Sequence, residues 1–147
     1  PKFTRIPANY QIANAEHYIR ERSPNGFTTQ TEIQLVLEYD GKFAGALSFH
    51  TLVLDEAKAE IGYWITADAR GKGIATAATK LLTGYGFETI GFHRIEALVV
   101  ESNQPSLRVL SNAGYIQEGV LRDKSCCGDG TRENMMLFAA LRHEWEA

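Results

Sequence analysis

Apolar residues recur with two different periods along this chain, and the changes of period mark its elements. In "IANAEHYIRERSP" Ile12, Ala15 and Ile19 fall three or four apart, which predicts a helix ended by the run Ser23-Pro24-Asn25-Gly26. "EIQLVLEY" reads as a strand, Asp40-Gly41 as a hairpin turn, "FAGALSFHTLVL" as the returning strand and "AEIGYWIT" as a third. Short links join these three, so they are expected to be antiparallel neighbours. The period then changes. Ile74, Ala77, Ala78, Leu81, Leu82 and Tyr85 describe one face of a helix whose end Gly84 and Gly86 should weaken.

"RIEALVVE" follows as a buried strand, so a strand, a helix and a strand make a parallel crossover. In "SNQPSLRVLSNAGY" Asn103 is an N-cap candidate, Pro105 suits the first turn, and Gly114 is a natural stop. "YIQEGVLRDKSCC", Gly128-Asp129-Gly130 and "TRENMMLFAAL" read as a closing hairpin. The expected class is α/β with a mixed sheet: antiparallel strands, then a β-α-β-α core, then a C-terminal hairpin.

Composition narrows the function classes. The 147 residues, 44% hydrophobic and 22% charged, suit one domain over residues 1–147. A net charge of −3 gives no electrostatic footprint for nucleic acid. No apolar run reaches the length of a membrane span. Cys126 and Cys127 are adjacent, which disfavours an ordinary staple and suits a reducing, cytoplasmic setting. Neither spacing nor nearby histidine supports a metal site, and nothing fixes an oligomeric state.

The stretch "DARGKGIATAATKLL" carries the first chemistry. A strand precedes it and a helix follows, so two glycines and the cations Arg70 and Lys72 stand at a helix N-terminus, a ready anion site. A Walker loop would need Ser or Thr after Gly71-Lys72, where Gly73 stands. A dinucleotide fingerprint starting at Gly71 would meet Thr76 at its third glycine, although Glu101 could pose as its ribose-binding acid. The remaining pattern, Arg/Gln-x-x-Gly-x-Gly/Ala, is matched by Arg70, Gly71, Lys72, Gly73, Ile74 and Ala75.

Here the chain resembles the GNAT acetyltransferases, users of acetyl-coenzyme A, in their RimJ/RimL-like branch. "EIGYWI", "ARGKGIATAA", "GFHRIEALV", "NQPSLRVLSNAGY", "EGVLRD" and "DGTRENMMLFAALRHEW" fall in family order from one end of the chain to the other. The resemblance implies that the amides of Arg70, Gly71, Lys72, Gly73, Ile74 and Ala75, with Thr76 nearby, cradle the coenzyme A diphosphate. It also implies that Ile65 and Thr66 offer backbone hydrogen bonds to the pantetheine arm, and that Asn103 caps its helix, contacts coenzyme A, or both. Relatives begin with a strand and a helix that precede the segment resembled by Pro1–Ile6. The chain is therefore expected to start inside the fold, leaving an apolar flank of the first strand pair uncovered.

Acetyl transfer to an amine needs a base, an oxyanion stabiliser and an acid for the departing thiolate. Glu60, on the strand entering the glycine turn, is the base candidate, or else a solvated or ion-paired strand residue. Many relatives carry a tyrosine acid seven residues after the helix-start asparagine, and Leu110 stands there. In the RimJ/RimL-like branch a serine often follows three residues after it, here Ser106, which is the acid candidate or a plain first-turn residue. His50 could border the acceptor site, His93 is expected to be structural, and His17 and His143 lie on the surface. The leading function is an acetyl-CoA-dependent N-acetyltransferase whose acceptor is a primary amine, on a protein N-terminus or a small molecule. A non-catalytic acetyl-CoA-binding module is the alternative, and a nicotinamide-dependent oxidoreductase a more distant one.

Overall fold

A computed structural model of the chain describes Phe3, residues 9–126 and residues 131–145. Among the described residues four α-helices, α1 (Ile12–His17), α2 (Ser23–Thr28), α3 (Ile74–Tyr85) and α4 (Gln104–Ala113), accompany six strands. The strands are β1 (Glu32–Tyr39), β2 (Lys42–Val53), β3 (Lys58–Ile65), β4 (Arg94–Val100), β5 (Ile116–Cys126) and β6 (Arg132–Leu141). They form one sheet in the order β1-β2-β3-β4-β6-β5. β3 and β4 run parallel, and every other neighbouring pair is antiparallel. The expected mixed sheet, its crossover and its closing hairpin are all present. The hairpin's Gly128-Asp129-Gly130 and Cys127 lie outside the described residues.

The first turn follows its sequence chemistry: Asp40 and Gly41 have φ of 51° and 70°, the left-handed pair of a tight hairpin. The first helix does not end at Ser23-Pro24. An i→i+5 turn over Tyr18–Arg22 closes on the Ser23 N–H, and α2 begins with Pro24 in its first turn. Pro24 has no N–H to give, and a first turn is where none is needed. Ile12 and Ile19 remain 81% and 67% exposed. Val36 of β1, Phe43 of β2 and Trp64 of β3 are also exposed.

The core lies on one face of the sheet. Phe49, Ile61, Ile95, Ala97 and Phe138 meet Ala78 and Leu82 of α3 and Leu110 of α4. The buried side of α3 differs from the expected one. It consists of Ile74, Ala78, Thr79, Leu82 and Thr83, whereas Leu81 and Tyr85 are exposed. A buried hydroxyl is tolerated once bonded, and Thr83 Oγ1 bonds Thr79 O at 2.8 Å and Tyr115 Oη at 2.7 Å. Nor do Gly84 and Gly86 end the helical path, which runs on as a wider turn to Ile90 and stops at Gly91. Gly86 is there for space, because a Cβ would lie 2.8 Å from Phe49 Cζ and 2.9 Å from Ile95 Cδ1.

Candidate active site

The centre of the sheet is split. β3 pairs with β4 only through Lys58, Ala59 and Glu60 against Arg94, Ile95 and Glu96. β3 then stays with β2 as far as Ile65, while β4 stays with β6 as far as Val100. A wedge-shaped gap therefore opens beyond Glu60. In an antiparallel ladder successive residues send their backbone groups to opposite edges. Thr66 N–H is donated to Ala44 O at 2.9 Å, so Tyr63 and Ile65 turn their groups towards the gap. Of the two pantetheine candidates, Ile65 faces the gap, and Thr66 anchors the turn, its carbonyl also accepting from Ala69 N.

The glycine turn stands where β3 leaves the sheet. Gly71 and Gly73 have φ of 73° and 75°, and Gly73 is the N-cap of α3. The first helical bond runs from Ala77 N to Gly73 O, so the N–H groups of Ile74, Ala75 and Thr76 have no carbonyl one turn earlier to bond. Apart from the adjoining residues, no heavy atom lies within 4 Å of where a Cβ on either glycine would be. A left-handed turn, exposed amides and open space fit a diphosphate approaching backbone. The two cations are placed differently from the amides. Arg70 Nε donates to Ile65 O at 3.2 Å, and Lys72 Nζ lies 6.0 Å from the Tyr39 ring centroid.

Across the gap stands the start of α4. Asn103 is its N-cap, with Oδ1 accepting from Ser106 N at 3.4 Å. Ser106 Oγ lies 2.8 Å from Tyr63 Oη, so a pair of hydroxyls bridges the two sides. Burial pushes the Tyr63 phenol up to about 12, although its bond to Ser106 opposes the shift. The phenol therefore stays protonated across the ordinary range of pH. Leu110 is fully buried in the core cluster, so its position on α4 does not reach this pair.

On the opposite face of the sheet a band of polar side chains crosses β1 to β4. Residues two apart share a face, so Glu60, Arg94 and Glu96 stand away from the helices. Glu32, His50, Glu60 and Glu96 occupy one row across β1 to β4. His50 Nε2 lies 3.2 Å from Glu60 Oε1. Arg94 Nε donates to Glu96 at 2.6 Å and Nη1 to Glu118 at 2.9 Å. That guanidinium holds the Glu118 carboxyl below the usual carboxylate range.

Glu60 and Ser106 thus lie on opposite faces of the sheet beside one gap, and they do not touch. His93 stacks on His143 with centroids 6.0 Å apart, and His17 and His143 are exposed. Two partners escaped the sequence. Tyr63 carried a signal, since a tyrosine on the core face of a buried strand needs a hydroxyl partner. The pairing of His50 with Glu60 needs the β2–β3 register, which no local pattern fixes. Among the described residues no cluster suits a metal ion.

A model of the acetyltransferase (GNAT) domain matches residues 1–116. YdaF of Bacillus subtilis (strain 168), named as a candidate ribosomal N-acetyltransferase, is 37% identical over 114 residues, covering 78% of this chain and 62% of that protein. Spermidine N(1)-acetyltransferase of Escherichia coli (strain K12) is 27% identical, covering 80% and 63%. Among solved structures, Mycobacterium smegmatis RimJ in complex with CoA-disulfide superposes with a TM-score of 0.86 at 28% identity, covering 99% of this chain and 71% of that one. The chain thus spans less than two thirds of the length of these curated relatives. With the wedge, the glycine turn and these likenesses together, the chain belongs to the GNAT acetyltransferase family.

Proposed function

We propose that this chain is an acetyl-CoA-dependent N-acetyltransferase acting on a primary amine. The observation that carries the reading is the glycine turn of α3, with bare amides and open space, at the end of a β3 edge freed by the wedge. In this reading the amides from Gly71 to Thr76 bind the diphosphate, helped by the dipole of α3; the Arg70 N–H, expected to join them, is instead donated to Ala67 O at 3.3 Å. Ile65 offers its backbone to the pantetheine arm. Bound acetyl-CoA supplies an activated acetyl thioester. Ser106 Oγ gives a proton to the leaving sulfur, Asn103 holds the first turn of α4 that carries it, and Tyr63 fixes its hydroxyl. The row of Glu32, Glu60 and Glu96 attracts a cationic amine from the opposite face.

For the acceptor we favour the α-amine of a protein N-terminus, in the RimJ/RimL-like branch, supported by the likenesses to RimJ and YdaF. A polyamine is the second choice, supported by the spermidine enzyme. The adjacent cysteines support a cytoplasmic setting. Titration calorimetry with acetyl-CoA, followed by mass spectrometry of free-N-terminus peptides and polyamines incubated with it, tests the reading. Binding and singly acetylated products are expected. Binding without product on any amine would make this a binding module, and absence of binding would overturn the cradle.

A further inference from the structure

The ring of His50 has a setting that the mechanism above leaves unused. It stands in register between Glu32 of β1 and Glu60 of β3, with Glu96 of β4 next in the row. Its Nε2 lies 3.2 Å from Glu60 Oε1, and the two side chains are only 26% and 15% exposed. The rest of the ring lies over Gly62. A Cβ there would come within 2.9 Å of His50 Cε1 and 3.3 Å of Nδ1. A side chain at position 62 would therefore push the imidazole aside. Gly62 is also two residues beyond Glu60, the last β3 residue paired with β4, so Nδ1 sits at the apex of the wedge on the face opposite α4.

A carboxylate beside one ring nitrogen keeps the proton there, and the other nitrogen then holds the lone pair. Of the two side chains, Glu60 turns Oε1 to the ring, whereas the imidazole keeps Nδ1 beside Gly62 at the wedge, so the imidazole is the group placed to take the amine's proton. We propose that His50 is the catalytic base, taking the acceptor's proton at Nδ1, and that Glu60 is the positioning residue that fixes its tautomer. This rests on the acetyltransferase reading above.

His50 takes one proton from the ammonium form of the acceptor and later passes it to water. The freed nitrogen lone pair forms the amide C–N bond while the C–S bond breaks and its electron pair leaves on sulfur. As sulfur takes the proton of Ser106 Oγ, the nitrogen's second proton passes through water to that same oxygen and restores the serine hydroxyl. The groups facing the ring suit an imidazolium. Glu32, whose Oε1 lies 3.0 Å from Tyr18 Oη, stands on one side and Glu60 on the other. The nearby cations Arg94 and Lys58 are already held by Glu96 and Glu56.

The test compares the wild type with His50→Gln and Glu60→Gln. Nitrogen-15 NMR of the free protein reads the tautomer without any reaction, and an Nε2–H imidazole is expected in the wild type and a mixture of tautomers in Glu60→Gln. With an accepted amine, His50→Gln should lower kcat/KM by ~10²–10³-fold near neutral pH and abolish the acid limb of its pH profile. Glu60→Gln should cost roughly 10-fold and shift that limb. Acetyl-CoA affinity should be unchanged in both. An Nδ1–H tautomer in the wild type, or a His50→Gln enzyme with an unaltered pH profile, would overturn the proposal. A wild type that acetylates no amine would instead overturn the acetyltransferase reading. Should His50→Gln fail to fold, the wild-type tautomer and Glu60→Gln still decide.

Discussion

The two sides of the wedge are built from different materials. Along β3 and the start of α3 the groups on offer belong to the backbone: the edge of Tyr63 and Ile65, and the amides after Gly71 and Gly73. On the polar face and at α4 they are side chains held by other side chains, His50 on Glu60 and Ser106 on Tyr63. A backbone site is damaged by adding atoms, because any Cβ can distort it. A side-chain site is damaged by removing them. The two sides should therefore fail in different assays.

The largest effect is expected at the backbone side. Gly73→Val puts a branched side chain at φ 75° and into the open space before the amides. Acetyl-CoA affinity should fall by about 100-fold with the fold retained. Calorimetry alongside a melting curve would check this, and unchanged affinity would remove the cradle.

Next comes the side-chain end. Ser106→Ala should lower kcat by roughly 10–100-fold while acetyl-CoA affinity holds. Tyr63→Phe leaves the serine present but unheld, and should cost about 3–10-fold. A Ser106→Ala enzyme with full kcat would make the serine a helix residue and leave sulfur to be protonated by water.

Gly86→Ala isolates packing from chemistry. Its φ of −59° is ordinary, so the cost is only the crowding of Phe49 and Ile95, about 2 kcal/mol of stability. A denaturant midpoint that does not move would show that the core gives way there freely.

The smallest effect concerns Arg94. Glu118 is held below its unfolded value, so the pair's contribution is present above the usual carboxylate range and lost as pH falls through the lowered one. The pair is partly exposed, which keeps that contribution below about 1 kcal/mol. Arg94→Gln should thus destabilise the protein at pH 7 and lose that effect in strong acid, as urea titrations at the two pH values would read.

The same division explains what the sequence made legible. The glycine turn was readable because left-handed backbone selects glycine within a few residues. The strands, the Asn103 cap and the Gly114 stop were readable for the same local reason. The buried face of α3 was not, because Thr79 and Thr83 count as polar, and the partner that lets Thr83 be buried, Tyr115, lies far along the chain. The path through Pro24 was missed because a widened turn absorbs the proline. His50 met Glu60, and Tyr63 met Ser106, only through register and helix placement, which are tertiary facts.

The short seam between β3 and β4 has a consequence for folding. Each half of the sheet is continuous in the chain: β1 to β3 span residues 32–65, and β4 to β6 span residues 94–141. The first half forms through two successive hairpins, whereas in the second β4 must reach β6 past α4 and β5, and joining the halves must close the loop that contains α3. Both closures cost chain entropy, and at the contact between the halves only three residues on each side of the sheet secure it. A molecule lying in the wedge and touching both sides would act as a clamp, coupling two units that the backbone ties together at one narrow place.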